Sequence, residues 1–257
     1  MTPSPGSSTR APARKRATGQ RGIKRPGKKL LDHDRALGHR YVAGVDEAGR
    51  GCLAGPLVAA AVVLDMQRLV GPDASPLMQV NDSKQLSHAE RERMYASVLT
   101  CVSSWSISVI SPARIDRVGL HKCNIEAMKI ALRGLRVTPE VGLVDGFALV
   151  EHNLAYPCTQ IIKGDATSAS IAAASIIAKV SRDRLMMRLD ERLGGRWAFA
   201  EHMGYATPLH HERLQEHGPG SHHRMSFASA AYEGVARFVG TEQQARVPRF
   251  PRTSDEA

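Results

Sequence analysis

Asp46 and Glu47 stand side by side where an apolar run ends, in Tyr41-Val-Ala-Gly-Val-Asp46-Glu47-Ala-Gly49-Arg50-Gly51-Cys-Leu-Ala-Gly55-Pro56. Two further short apolar runs end in acid, Val144-Asp145-Gly146 and Ile162-Lys163-Gly164-Asp165. A carboxylate taken out of water is costly unless it is paired, hydrogen-bonded or bound to a metal. If the three run ends are neighbours, four carboxylates converge, and their repulsion forces protonation unless cations lie among them. Oxygen-only ligands select hard cations, Mg²⁺ or Mn²⁺. Two such ions roughly 4 Å apart form the clamp for phosphodiester hydrolysis, one activating water and one stabilising the leaving 3′ oxygen. The Gly49-Arg50-Gly51 turn after the first pair reads as backbone that approaches a ligand closely. A single strand-end acid has a blander use, as a helix cap or turn closure, and Asp165 could sit that way before the helix from Ser168. A paired-carboxylate glycosidase needs sugar-stacking aromatics, and aromatic residues are only 5% of the chain.

These acids need strands to carry them. Tyr41–Asp46 and Leu57–Leu64 read as strands, Ser104–Ile110 alternates with period two, Val141–Val144 is a short run of the buried type and Thr159–Ile162 is another short strand. Ser87-His-Ala-Glu90 is a capping box that opens a helix towards Leu99. Further helices are expected at 113–118, 124–135, Ser168 to about Leu193, and Phe227–Phe238. The order predicts an α/β fold, a mixed sheet with helices on both faces and a helical C-terminal part. Ligands of open α/β sheets bind at the carboxyl ends of strands. One conflict stands out: neighbouring strand residues point to opposite faces, so Asp46 and Glu47 share a site only if the strand ends or bulges by Glu47.

The formal charge is +10, but its distribution matters more than its size. Residues 1–29 hold nine of the 35 Lys and Arg and no acid, which leaves 26 basic residues against 25 acidic ones in the rest. The body is nearly neutral, so global charge does not make it a nucleic-acid binder. Residues 1–36, almost without apolar content, are expected to be a disordered basic tail, and 241–257 a disordered C-terminal tail, leaving 37–240 as the folded domain. The four cysteines are far apart and form no Cys-x-x-Cys pair, which excludes a zinc ribbon and fits reduced thiols in the cytoplasm. No signal peptide or membrane-length apolar stretch is visible.

From Tyr41 to Phe227 the chain resembles ribonuclease HII, the type 2 ribonuclease H. The resemblance rests on Val45-Asp46-Glu47-Ala48-Gly49-Arg50-Gly51, Asn81-Asp82-Ser83-Lys84, Val144-Asp145-Gly146, Lys163-Gly164-Asp165, the Ser170–Asp183 stretch and Gly204-Tyr205-Ala-Thr207, all in one order. It implies a ribonuclease H-like fold and an endonuclease that cuts 5′ to ribonucleotides in RNA/DNA hybrids, and at a single ribonucleotide embedded in duplex DNA. It also implies Asp46, Glu47, Asp145 and Asp165 as catalytic, Mg²⁺- or Mn²⁺-binding acids, the set reached above from strand ends. By the same resemblance Gly49, Arg50 and Gly51 surround the 2′-OH, which alone marks RNA at one site. Tyr205 stacks on the following deoxyribose, and Lys84 contacts a phosphate.

Asp183, five turns along the helix from Asp165, and Arg182 read as structural, forming a surface ion pair. His202, His210, His211, His217, His222 and His223 read as a solvated or phosphate-contacting loop, with His222 or Arg224 at phosphates. The rivals are a type 3 ribonuclease H, disfavoured because the N-terminal residues do not read as a folded substrate-binding domain, and a non-catalytic hybrid binder, disfavoured by four retained acids. The expected partner is the hybrid duplex, bound by a monomer.

Overall fold

The apolar run that starts at Leu57 forms a strand, Leu57–Asp65, in which every residue is buried, and such a strand needs cover on both faces. The computed structural model describes residues 27–78, 80, 87–150 and 153–235. The strands are β1 (Tyr41–Ala48), β2 (Leu57–Asp65), β3 (Ser104–Ile110), β4 (Val141–Asp145) and β5 (Cys158–Ile161). The helices are α1 (Gly27–Ala36), α2 (Ser75–Met78), α3 (His88–Cys101), α4 (Pro112–Val118), α5 (Leu120–Arg133), α6 (Ala169–Arg192), α7 (Phe199–His202) and α8 (Pro208–His217). The sheet order is β3-β2-β1-β4-β5. β1–β2 and β2–β3 are antiparallel, whereas β1–β4 and β4–β5 are parallel. The expected mixed sheet is therefore present, with β1 at its centre.

Alternation sorts the strands between two cores. Val42 and Ala48 of β1 and Ala60, Val62 and Leu64 of β2 pack with the Ala- and Ile-rich face of α6. Ala43 and Val45 of β1 and Leu57, Ala59, Ala61 and Val63 of β2 pack with α5. Gly44 lets α6 lie against β1, since a Cβ there would come within 2.2 Å of the Ser170 carbonyl carbon. The Ser87–Glu90 capping box forms as expected, with both reciprocal hydrogen bonds. All four cysteines are free thiols.

Two expectations need correction. Folded structure begins at least ten residues before 37, because Leu30, Leu31 and Asp34 of α1 are buried. Two leucines and one acid spaced at i, i+1 and i+4 suffice, since Leu30 and Leu31 join the α6 core and Asp34 accepts the Ser170 amide at 2.8 Å. At the other end, no α-helix starts at Phe227; the described part holds only a single 3-10 turn at Ala230–Tyr232. The rest of both expected tails, and the Asn81–Lys84 turn, lie outside the described residues.

Candidate active site

β1 runs on through both acids without ending or bulging. Asp46 pairs with Ala60, Glu47 with Ala59 and Ala48 with Val58. The expected bulge is thus absent, and the two side chains go to opposite faces, Asp46 towards α6 and Glu47 towards α5. The neighbouring strand reconciles them. Parallel pairing between β1 and β4 stops at Val45 beside Val144, and the next residue of β4 is Asp145, its last. Asp145 acts electrostatically on both Asp46 and Glu47, so the three acids form one group around the open end of the sheet.

Burial is the main force on this group. Asp46 is only 5% exposed. Burial first, then Glu47 and Asp145, hold its carboxyl well above the usual range, against hydrogen bonds from Ser175 and the Glu47 amide. The Glu47 amide donates to Asp46 Oδ1 at 2.7 Å. Glu47 is also raised, by burial and then Asp145, with Arg50 and the Asn124 amide opposing. Asp145 Oδ1 accepts the Gly164 amide at 2.6 Å. Gly164 allows this approach, because a Cβ there would stand 2.4 Å from Ile171 Cδ1 and 3.1 Å from Asp145 Oδ1. Asp165 follows in a 3-10 turn at Gly164–Ala166, which places it one residue from the Asp145 contact. It is not the cap of α6; Ser168 takes that position, its hydroxyl accepting the Ile171 amide.

The donor set fits a hard cation. It offers carboxylate oxygens that repel each other when ionised, and Glu47 Oε2 is buried with no hydrogen-bond partner. Among the described residues no three acids, histidines or cysteines stand together as a group that could hold a metal ion as they are placed.

Gly49-Arg50-Gly51 follows β1 directly. Gly49 has φ +85°, and a Cβ there would lie 1.9 Å from Arg182 Nε. Arg50 is exposed, with its guanidinium 4.8 Å above the Phe147 ring. Gly51 is exposed, and a Cβ there would meet no protein atom. Tyr205 is 40% exposed, its ring near Lys179 Nζ at 5.2 Å and its hydroxyl beside the Cys52 thiol. The Leu53 amide donates to Gly204 O at 2.9 Å, which ties the tyrosine loop to the turn. Gly204 is needed at φ +80° because a Cβ would come within 2.4 Å of Ala54 O.

The ribonuclease HII family model matches residues 43–230, a span that contains every one of these acids, the turn and Tyr205. The chain belongs to the ribonuclease HII family. A ribonuclease HII from Salinispora tropica is 44% identical over 227 residues, covering 87% of this chain and 80% of that protein. The solved ribonuclease H2 of Pyrococcus horikoshii OT3 is 30% identical, with a TM-score of 0.62 over 73% of this chain and 93% of its own. A Bst ribonuclease HIII solved in complex with Mn²⁺ is 22% identical, with a TM-score of 0.63 over 76% of this chain and 70% of its own, and shares the fold. Family membership makes the protein an endoribonuclease.

Several residues take roles that their types did not disclose. Arg182 and Asp183 are not a surface pair. Arg182 is fully buried and donates to Pro56 O at 2.9 Å, Met203 O at 2.8 Å and Ala54 O at 3.0 Å, while Asp183 pairs with Lys179 at 2.8 Å. Arg224, also fully buried, bonds Gly55 O and Arg50 O, so it buttresses the turn and is unavailable to a phosphate. His202, His210 and His223 are buried rather than solvated. His202 stacks on His210 at 4.2 Å, and His210 Nε2 lies 3.1 Å from His223 Nε2. His210 Nδ1 bonds Tyr205 O at 2.9 Å, and His202 Nδ1 accepts the Gly204 amide at 3.1 Å. The sequence signal was present in the aromatic neighbours Trp197 and Phe199, which pack against these rings. Lys84 lies outside the described residues.

Proposed function

We propose that this enzyme hydrolyses the phosphodiester 5′ to a ribonucleotide in RNA/DNA hybrids and at a single ribonucleotide in duplex DNA, leaving a 5′-phosphate, with Asp46, Glu47, Asp145 and Asp165 holding Mg²⁺ or Mn²⁺. The observation that carries the reading is the placement of Asp145, at the end of β4, where it acts on both Asp46 and Glu47 of β1, next to a turn whose third residue has open space around it. When bound, two such ions supply water activation and neutralise charge at the leaving 3′ oxygen. The chain's own work is positioning. Asp46 is oriented by Ser175 and the Glu47 amide, and Asp145 by the Gly164 amide. Backbone at Gly49 and Gly51 and the Arg50 side chain surround the 2′-OH and its phosphate. Arg50 is preoriented by stacking on Phe147, and cation–π contact of this kind holds a guanidinium plane. Tyr205 offers a ring face, fixed through its backbone, for the deoxyribose beyond the junction.

The test is a duplex with one ribonucleotide, incubated with Mg²⁺ or Mn²⁺, with the cut mapped to the nucleotide. Wild type should incise on the 5′ side, and Asp145→Asn should lose at least a hundredfold in rate. Incision 3′ to the ribonucleotide, or a fully active Asp145→Asn, would overturn the assignment.

A further inference from the structure

Each acid of β1 faces one polar side chain from the helix on its own side. Asp46 has Ser175 of α6. Glu47 has Asn124 of α5. The buried stripe of α5 is Cys123, Asn124, Ala127, Met128, Ala131 and Leu132, and Asn124 is its one amide. Asn124 is fully buried and its amide already favours the ionised Glu47 carboxylate, yet neither its Oδ1 nor its Nδ2, nor Glu47 Oε2, reaches full hydrogen-bond geometry. Buried polar groups in folded proteins are nearly always satisfied, and an exception calls for a functional reason. An apolar residue of the same shape would fill this place in the stripe at no such cost.

We propose that Asn124 is a positioning residue for Glu47, its Nδ2 donating to the Glu47 carboxylate in the working site and fixing which way that carboxylate faces. The inference rests on the reading of Glu47 as a metal-holding acid. An amide suits the place. It donates without a positive charge, so it orients the carboxylate without competing with cations for it. The same place in the stripe filled by Lys or Arg would neutralise the acid. Buried in the α5 core beside Cys123 and Ala127, the Asn124 side chain also has little room to rotate, so the direction it imposes is fixed by packing. Residues that orient a ligating group in this way typically matter by ten- to a hundredfold.

Asn124→Leu, similar in shape and without the polar atoms, separates this from a packing role. We expect melting temperature unchanged or raised, KM for the duplex unchanged, and kcat down about tenfold or more. Without substrate, the Mn²⁺ concentration giving half the ion-induced rise in melting temperature should increase several-fold. Wild-type kcat together with a wild-type Mn²⁺ midpoint would overturn the proposal, as would a kcat loss that merely follows a fall in folded fraction. If Asn124→Leu does not fold, Asn124→Ala decides by the same two readings. Glu47→Gln is the control. Activity retained in Glu47→Gln would sink the reading of Glu47 itself, whereas an inactive Glu47→Gln beside an unaffected Asn124→Leu sinks only the role of Asn124.

Discussion

Gly49 and Gly51 stand in different surroundings. At Gly49 the backbone is left-handed and Arg182 occupies the space of a Cβ. Left-handed φ alone costs a non-glycine residue about 1–2 kcal/mol, and displacing a buried guanidinium adds to that. Gly49→Ala should therefore lower the melting temperature by several degrees. Gly51 has ordinary backbone and open space, so Gly51→Ala should leave stability within about 0.5 kcal/mol while raising KM, as the proposed approach of the ribonucleotide to this backbone requires. Equal melting temperatures for the two variants would contradict this division. The acids give a second prediction. Burial raises the Asp46 and Glu47 carboxyls in the folded state, so the fold is favoured while they are protonated, and that contribution is lost as pH rises through the raised values. Without divalent ions at neutral pH, Asp46→Asn should melt above wild type while being inactive. A lower melting temperature would show that the ionised carboxylate is stabilising as it stands.

At the scale of elements, the tyrosine loop is held by neutral histidines. Burial, as the first cause, pushes His210 down to about 4 and His223 down to about 3, and lowers His202. Groups depressed in this way stay neutral in the fold and take up protons once unfolded. Their contribution is complete above the ordinary value near 6.5 and is lost as pH falls from there towards 4 and 3. Between pH 6.5 and 5 His210 and His223 each remove about 1.5 kcal/mol. Urea unfolding at pH 7.5 and 5 should show this loss, opposite in sign to the effect of the acids, and His210→Phe should flatten the dependence. A slope unchanged in His210→Phe would place the acid sensitivity elsewhere. α1 provides the other case. Asp34 caps a free amide at the start of α6, just after the turn that carries Asp165, and loss of a cap of this kind costs about 0.5–2 kcal/mol. Asp34→Ala should therefore lower the urea midpoint, and an unchanged midpoint would show α1 to be loosely attached. Asp34 was unreadable in sequence as a cap, since its partner lies 136 positions away.

For the whole molecule, the basic run of residues 1–29 overlaps the start of α1. α1 begins at Gly27 with its first residue already buried, so a truncation that tests the basic arm must stop before it. Removing residues 1–26 deletes seven Lys and Arg. It should leave the melting temperature unchanged and reduce the slope of log affinity against log salt, by about 0.9 for each phosphate that the arm neutralises. Removing residues 1–36 should in addition destabilise the domain, because Leu30 and Leu31, both buried, go with it. An unchanged salt slope in the shorter truncation would show the arm to be a bystander. Sequence alone determined the mixed α/β class, the five strands, the long helix after Asp165 and the family, because apolar periodicity, caps and an ordered set of short motifs are all local and survive in one dimension. It also drew attention to Asp46, Glu47, Asp145 and Asp165 as acids beside short apolar runs, although only Asp145 is the last residue of its strand. Only the tertiary structure decided how Asp46 and Glu47 work together. The strand neither ends nor bulges, and Asp145 is brought within reach of both faces by a parallel register set between segments about a hundred residues apart. The same holds for Arg182, Arg224, His210 and Asn124, polar residues whose type predicts solvent or substrate. Their burial depends on which distant carbonyls, rings and carboxylates the chain folds against them, and no spacing along the sequence encodes that.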